Sequence, residues 1–191
     1  MKKFIAAVLA GIMMMSLAAC GKTGIAGAGS NWVEEDDNIE AYKYDDGTYL
    51  YEGREGSTMK TAWFDFTVNG AYYTEDSIGG YTPSNGNILV VVDLTLKNTF
   101  TESVPMWQDD FVLLWTEEVD DEYSYPVEVS ESLLDDQFPY EFNMKVNETV
   151  DGLLIFEAPA GEEDFSIAFI EYYEDNSEGD AFRVYFSADE K

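Results

Sequence analysis

An alternation of apolar and polar residues is the main structural signal in this chain, and it is clearest in residues 87–98. Every second residue over positions 88–96 is aliphatic. On the opposite face, Leu89 and Val91 are apolar, whereas the positions from Asp93 onward are polar or charged. A period of two is typical of a β-strand, because successive side chains point to opposite faces of the sheet. We therefore predict a central strand with one face wholly buried and the other buried only at its start.

Shorter segments with the same alternation recur along the chain, and turn-forming residues separate them. No long helical period occurs after residue 19. This pattern predicts an all-β fold, an antiparallel, immunoglobulin-like two-sheet sandwich of about seven to nine strands. Besides the central strand, the predicted strands are those of a hairpin at 42–51 and the segments 60–68, 111–115, 123–127, 142–146, 152–158, 165–173 and 181–187.

Turn-forming residues give more local predictions. Asp46-Gly47 favours a two-residue hairpin turn. Asn69-Gly70 favours either a turn or a β-bulge within a strand. Residues 130–137 are expected to hold a single helical turn capped by Ser130.

Side-chain directions follow from the same period of two. In the strand at 60–68, Ala62 should share the buried face with Phe64. The doublets Tyr72-Tyr73 and Tyr172-Tyr173 should each place one ring in the core and one outside.

The N-terminal residues have the features of a secretory signal peptide. Lys2 and Lys3 form a basic start, and the next 14 residues are predominantly apolar. This run is shorter than the roughly 20 residues that a membrane-spanning helix needs. It ends in four residues that resemble the lipobox of bacterial lipoproteins, namely Leu17, Ala18, Ala19 and Cys20. The resemblance implies cleavage after Ala19, a diacylglyceryl group on Cys20 and a membrane anchor.

The domain organisation follows from these segments. Residues 1–19 are the predicted signal peptide, and residues 20–38 are a lipidated cysteine followed by a flexible tether. The tether contains small residues and four consecutive acids at 34–37, which cannot bury enough surface to order themselves. Residues 39–191 remain as one domain, which is long enough to bury a substantial core.

Composition excludes several classes of chemistry. The chain has no histidine and a single cysteine, which excludes Ser-His-Asp and Cys-His catalysis together with the commonest zinc and copper sites. Removal of Lys2 and Lys3 with the signal peptide takes the formal net charge from −29 to −31. Nucleic acid is excluded as a partner because phosphate binding needs clustered lysine and arginine. Such a charge favours cationic partners.

Four segments together resemble a widespread family of bacterial lipoprotein domains of uncharacterised function. The resemblance spans residues 60 to about 187, and it implies an immunoglobulin-like sandwich similar to that of a small secreted immunoprotective antigen. It implies a fold and an extracytoplasmic location, and the family has no catalytic residues to transfer. The segments are WFDFTV at 63–68, LVVVDLTLKN at 89–98, DFVL at 110–113 and VDGLLIFEAP at 150–159.

Acidic loop residues offer a candidate calcium site. Calcium binds six to eight oxygens gathered in space, and loops at one end of a sandwich can supply them. The candidates are Asp45, Asp46, Asp120 and Asp121, although no EF-hand spacing is present. Solvated loops that maintain solubility are the simpler interpretation.

These observations predict a lipid-anchored, non-enzymatic extracytoplasmic domain that binds an unidentified protein or glycan, or that supports the envelope. A carbohydrate-binding module is one alternative, since the chain has 13 Tyr, 12 Phe and 4 Trp. A row of three exposed rings would favour it. A carboxylate-based hydrolase is another, because two acids suffice for glycoside hydrolysis. A cleft with two inward carboxylates of raised pKa would favour that alternative.

Overall fold

The computed structural model describes residues 38–115 and 122–191. The signal peptide, the lipobox, nearly all of the tether and the acidic pair Asp120 and Asp121 lie outside these residues. The described part contains thirteen strands, nine of which have at least four residues, and a single 3₁₀ turn at Gln108–Asp110. The strands are β1 (Glu40–Lys43), β2 (Tyr49–Arg54), β3 (Thr58–Lys60), β4 (Phe64–Thr74), β5 (Asn87–Asn98), β6 (Val104–Trp107), β7 (Val112–Leu114), β8 (Tyr123–Ser124), β9 (Glu141–Met144), β10 (Thr149–Pro159), β11 (Asp164–Tyr172), β12 (Glu178–Ser187) and β13 (Asp189–Glu190).

Two large sheets form the sandwich. One has six strands in the order β1-β2-β12-β11-β7-β8, and the other has β10-β5-β4-β13 with β3 also paired to β4. Strands β6 and β9 pair separately. All named pairs are antiparallel except β12 with β2 and β13 with β4. The predicted two-sheet sandwich is confirmed. The strand count exceeds the prediction because β6 and β13 are not among the predicted strands and the predicted strand at 60–68 is divided into β3 and β4.

The central strand β5 lies between β4 and β10 in the five-stranded sheet. Its predicted burial is confirmed on both faces. The positions on its aliphatic face are buried, and Leu89 and Val91 are buried on the other face, where Asp93 and Lys97 are exposed. Five rings pack mostly edge-to-face in the core between the sheets, with centroids 4.9–6.4 Å apart: Phe64, Phe66, Phe111, Phe169 and Phe182. Edge-to-face contact is a favoured arrangement of aromatic pairs.

The outer face of the five-stranded sheet carries a second apolar cluster. Side chains from the loop at 75–86 and the segment at 125–138 pack on Leu89 and Val91 from outside. Glu157 on β10 fixes the first loop, because its carboxylate accepts hydrogen bonds from the Tyr81 hydroxyl at 2.6 Å and the Asn87 amide at 2.8 Å. The buried members of this cluster are Ile78, Leu89, Val91, Val127 and Ile155.

The predicted strand at 60–68 is in fact two strands. Thr61 turns the chain between them: its hydroxyl accepts a hydrogen bond from the Phe64 amide at 3.1 Å and donates one to the Phe64 carbonyl at 2.7 Å. Strand β3 therefore folds back on β4. Ala62 lies in the turn and is exposed, so its predicted burial beside Phe64 is wrong. At Asn69-Gly70, the β-bulge alternative is confirmed by a register shift against β5.

The hairpin of β1 and β2 is confirmed, but its predicted two-residue turn is wrong. The Tyr44 amide donates to the Thr48 carbonyl at 2.9 Å, which leaves a three-residue loop of Asp45, Asp46 and Gly47. The Gly47 amide donates to the Tyr44 carbonyl, and Gly47 has φ +98°. A turn that ends in a left-handed residue is the usual three-residue solution, and glycine adopts this conformation without steric cost.

The predicted helical turn at 130–137 is wrong. This segment runs along the edge of β10, where the Leu153 amide donates to the Asp136 carbonyl and the Phe138 amide to the Leu153 carbonyl. Gln137 accepts a hydrogen bond from the Leu133 amide at 2.7 Å through its side chain. Tertiary hydrogen bonds thus replace those of a helix. In the described residues, no helix has the length and apolar character needed to cross a membrane.

Candidate functional site

The outer face of the six-stranded sheet carries a continuous cross-strand row of apolar residues. Strand register places Tyr42 of β1 opposite Leu50 of β2, then Leu50 beside Ala181 of β12, and Ala181 opposite Ile170 of β11. Tyr172 follows Ile170 by two residues along β11, beyond a register shift against β12. It lies on the same face, because its neighbour Tyr125 packs with Ala168 on the side of the sheet that Ile170 occupies. We call these five residues the tyrosine strip: Tyr42, Leu50, Ala181, Ile170 and Tyr172.

The tyrosine strip is shallow and open at both ends. Tyr42 is 46% exposed and Tyr172 is 38% exposed, whereas the three residues between them are partly buried. Neighbouring strands lie about 4.8 Å apart, so the three intervals from Tyr42 to Ile170 span roughly 14 Å. The strip is therefore an apolar floor with a ring at each end.

A polar row runs beside the strip. Register aligns Glu40 of β1, Glu52 of β2 and Arg183 of β12. Arg183 is 7% exposed; its Nε donates to Ser166 Oγ at 2.9 Å, and its guanidinium lies 4.9 Å from the ring centroid of Tyr185. The Tyr185 hydroxyl donates to Glu52 at 2.6 Å. This network ties three strands together and keeps the arginine in the sheet.

Both exposed rings of the strip are neutral over the whole physiological pH range. The hydroxyl of Tyr42 donates to Glu40, and this hydrogen bond is the main cause that raises the pKa of Tyr42 to about 12. Burial, and then the charge of Glu178, raise the pKa of Tyr172 to about 12. Both phenols therefore keep their protons and present uncharged rings beside carboxylates.

A second cluster, of polar and aromatic side chains around Glu171, lies at the end of β11. Glu171 is 3% exposed, and its carboxylate accepts hydrogen bonds from the Ala62 amide at 2.6 Å, the Tyr173 hydroxyl at 3.1 Å and the Asp180 amide at 3.3 Å. Burial raises the pKa of Glu171. Since Glu171 belongs to β11 and its donors come from β12, the residue after β11 and the turn before β4, this carboxylate joins the two sheets.

Glycine makes room for this arrangement. A Cβ at Gly179 would lie 2.8 Å from Glu171 Oε2 and 2.7 Å from the Tyr173 ring. The Tyr173 ring packs on the Trp63 ring at a centroid distance of 5.5 Å.

Replacing Glu171 by glutamine is expected to lower the free energy of unfolding by about 2 kcal/mol. An amide NH₂ would face the Asp180 amide, whose N–H would then lose its acceptor, and the Tyr173 hydroxyl would have to accept a hydrogen bond instead of donating one. Urea unfolding of Glu171→Gln measures the effect, with the exposed Glu163→Gln as the matched control. Equal stability of the two variants would show that Glu171 does not join the sheets.

The tyrosine doublets follow the prediction only in part. Tyr73 packs against the main core and Tyr72 against the outer cluster, so both are partly buried on opposite faces. Tyr172 and Tyr173 are 38% and 44% exposed. Neither of these two rings lies in the core, because the doublet is at the open end of the sheet and Glu171 takes the inward position instead.

The acids predicted to bind calcium are not gathered in the described part of the chain. Asp45 and Asp46 lie in the hairpin loop, where Asp46 accepts hydrogen bonds from the Thr48 amide at 3.0 Å and the Thr48 hydroxyl at 2.7 Å. Asp120 and Asp121 lie outside the described residues. Residues 38–115 and 122–191 contain no group of three potential metal ligands. The calcium site stays a prediction.

The hydrolase alternative requires two carboxylates that act together. Glu171 and Asp110 both have a raised pKa, and that of Asp110 is about 6 because of burial. The two carboxyls do not act together: the neighbours that shift the pKa of Asp110 are Trp107 and Asp109, and Glu171 is not among them. In the sequence, Asp110 belongs to one acidic pair among several, Asp109-Asp110, and Glu171 gives no signal. The burial of both acids could not be predicted because it depends on which strands meet. The same holds for Leu50, Ala181 and Ile170, which lie between the tyrosines of the strip. Only the two exposed tyrosines could be recognised in the sequence.

The fold and the strip define a β-sandwich domain with an open, tyrosine-bearing sheet face. The chain belongs to the family described as a domain of unknown function, DUF4352, whose model matches residues 54–178. The predicted resemblance to a family of this kind is confirmed. No curated protein matches the sequence.

Two solved structures show the same fold at low sequence identity. The candidate lipoprotein ycdA of Bacillus subtilis is 15% identical over 69% of this chain, with a TM-score of 0.51, and the match spans 38% of that protein. The secreted protein MPT63 of Mycobacterium tuberculosis is 12% identical, with a TM-score of 0.51, and the match covers 75% of this chain and 98% of that one. The predicted similarity to a small secreted antigen is confirmed for the fold.

Proposed function

We propose that this protein is a lipid-anchored, non-catalytic recognition domain on the extracytoplasmic side of the bacterial membrane, and that it binds through the tyrosine strip. The observation that carries the proposal is the strip itself, a row of apolar side chains with an exposed ring at each end. Exposed tyrosines are typical of binding surfaces, because they offer apolar area at low entropic cost. The lipobox-like residues 17–20 support the location, as do a candidate lipoprotein and a secreted protein of the same fold.

The polar groups near the strip support binding more than catalysis. Arg183 and Glu52 are both engaged in the hydrogen-bonded network with Ser166 and Tyr185. The buried carboxylate of Glu171 accepts three hydrogen bonds from its own chain. These groups organise the sheet and its end, and the tyrosine strip itself is apolar.

Replacing both exposed rings is expected to weaken binding to cell envelopes at least about tenfold, since two interfacial tyrosines each contribute about 1 kcal/mol or more. The experiment uses the full chain with residues 17–20 replaced by the small-residue cleavage site of an ordinary secreted protein, so that neither a lipid nor an uncleaved signal peptide contributes, and it measures retention of the released protein on isolated bacterial envelopes. The test variant is Tyr42→Ala with Tyr172→Ala.

The matched control is Phe100→Ala, because Phe100 is 39% exposed and follows β5 of the other sheet. Thermal unfolding of each variant verifies that it is folded. Equal retention of the two variants would refute the strip as the binding surface.

A further inference from the structure

Acidic side chains border the tyrosine strip. Glu40 and Glu52 lie directly opposite each other on the same face of β1 and β2. Like charges in this position repel each other, and Arg183, which lies beside Glu52 on β12, offsets part of this repulsion. Glu178 lies opposite Tyr172 at the other end of the strip. The neighbouring cation, Arg183, is 7% exposed, so it presents little positive surface to a partner.

The shape of the strip suits an extended segment. Four residues of extended chain rise about 13 Å, which is close to the roughly 14 Å from Tyr42 to Ile170. In such a segment alternate side chains point the same way, so that apolar residues can lie on Leu50 and Ala181. The residues between them point away from the sheet, and only long, flexible side chains such as lysine and arginine can bend back to the border. At the border they meet the carboxylates of Glu40 and Glu52 and the ring face of Tyr42. A basic side chain gains from both, through ion pairing and through a cation–π contact.

We propose that the partner of the tyrosine strip is an extended polypeptide segment in which lysine or arginine alternates with apolar residues. This inference rests on the proposed function, since it names the ligand class of the same surface. Polyanions are disfavoured as partners by the net charge of −29. A neutral glycan would use the rings alone, and the strip offers two rings with more than a third of their surface exposed.

The test uses the protein secreted from the full chain after residues 17–20 are replaced by an ordinary cleavage site, and three probes: a peptide that alternates lysine and leucine, its glutamate–leucine counterpart, and a neutral glucose oligosaccharide. Isothermal calorimetry should detect binding of the lysine–leucine peptide alone. Glu40→Gln with Glu52→Gln should weaken that binding about fivefold, the effect of two exposed ion pairs. Glutamine retains a carbonyl oxygen that can accept from the hydroxyls of Tyr42 and Tyr185.

The matched control is Glu75→Gln with Glu102→Gln, which removes the same charge from exposed loop positions. Equal weakening by both double variants would overturn the inference, because it would show general electrostatic attraction. Binding of the oligosaccharide instead of the peptide, with loss in Tyr42→Ala and Tyr172→Ala, would overturn the inference and leave the proposed function standing. If Tyr42→Ala with Tyr172→Ala changes neither peptide binding nor envelope retention, both this inference and the proposed function are refuted.

Discussion

Replacing Cys20 by serine is expected to move most of the protein from the membrane fraction to the soluble fraction. The thiol of Cys20 is the predicted attachment point for the diacylglyceryl group, and a serine hydroxyl does not replace it. Each buried CH₂ contributes about 0.8 kcal/mol, and two acyl chains give stable anchoring where one chain is marginal. Incorporation of an alkyne-labelled fatty acid, followed by fractionation, measures both modification and location. The wild type should carry the label and Cys20→Ser should not.

Failure to cleave the signal peptide could by itself keep Cys20→Ser at the membrane, so a second variant is needed. In this variant residues 17–20 are replaced by the small-residue cleavage site of an ordinary secreted protein. The mature domain is then released without a lipid. A labelled Cys20→Ser protein, or membrane retention of the second variant, would refute lipid anchoring through Cys20.

The sequence predicts the centre of this fold better than its edges. In β5, the alternation over twelve residues predicts the burial of both faces correctly, because apolar residues occupy the buried positions and charged residues the exposed ones. Near Thr61 the pattern continues from β3 into β4, but the chain reverses there, where the amide and the hydroxyl of Thr61 are both hydrogen-bonded to the backbone of Phe64. At 130–137, backbone bonds to Leu153 override the local preference for a helical turn.

The tyrosine strip could be predicted only in part, for a related reason. Tyr42 and Tyr172 are visible as aromatics in alternating segments, but they are 130 residues apart in the sequence. They share a face because β12 pairs in parallel with β2 and antiparallel with β11. Pairing across such separations depends on the whole sheet and has no local signal. The same pairing places Glu40 opposite Glu52 and gives the strip its acidic border.

Asp110 and Glu171 both have a raised pKa, but we expect opposite effects on stability when each is replaced by the corresponding amide. The raised pKa of each carboxyl reflects the cost of burying its charge. Glu171 accepts three hydrogen bonds that partly offset this cost and that join the sheets. Asp110 accepts one, from the Trp107 amide at 2.8 Å, and its neighbour Asp109 adds a like charge.

Replacing Asp110 by asparagine is therefore expected to stabilise the protein at neutral pH. The pKa of Asp110 is about 6, against an ordinary value of 3.8. A carboxyl with a raised pKa contributes stability below its ordinary pKa and loses it as the pH rises through the raised value. The loss is about 2–3 kcal/mol, at 1.36 kcal/mol for each pKa unit. Asparagine avoids the loss because it does not ionise, and its carbonyl oxygen can still accept the hydrogen bond from the Trp107 amide.

Urea unfolding between pH 4.5 and pH 8 measures this gain; the lower limit avoids precipitation near the isoelectric point of about 4.1. The advantage of Asp110→Asn over the wild type should rise from about 1 kcal/mol at pH 4.5 to about 3 kcal/mol at pH 7. The exposed Asp76→Asn is the matched control, because it removes one negative charge without a buried site and so reports the relief of general repulsion. A gain that matches the control, or one that does not grow with pH, would show that the charge of Asp110 costs the fold nothing.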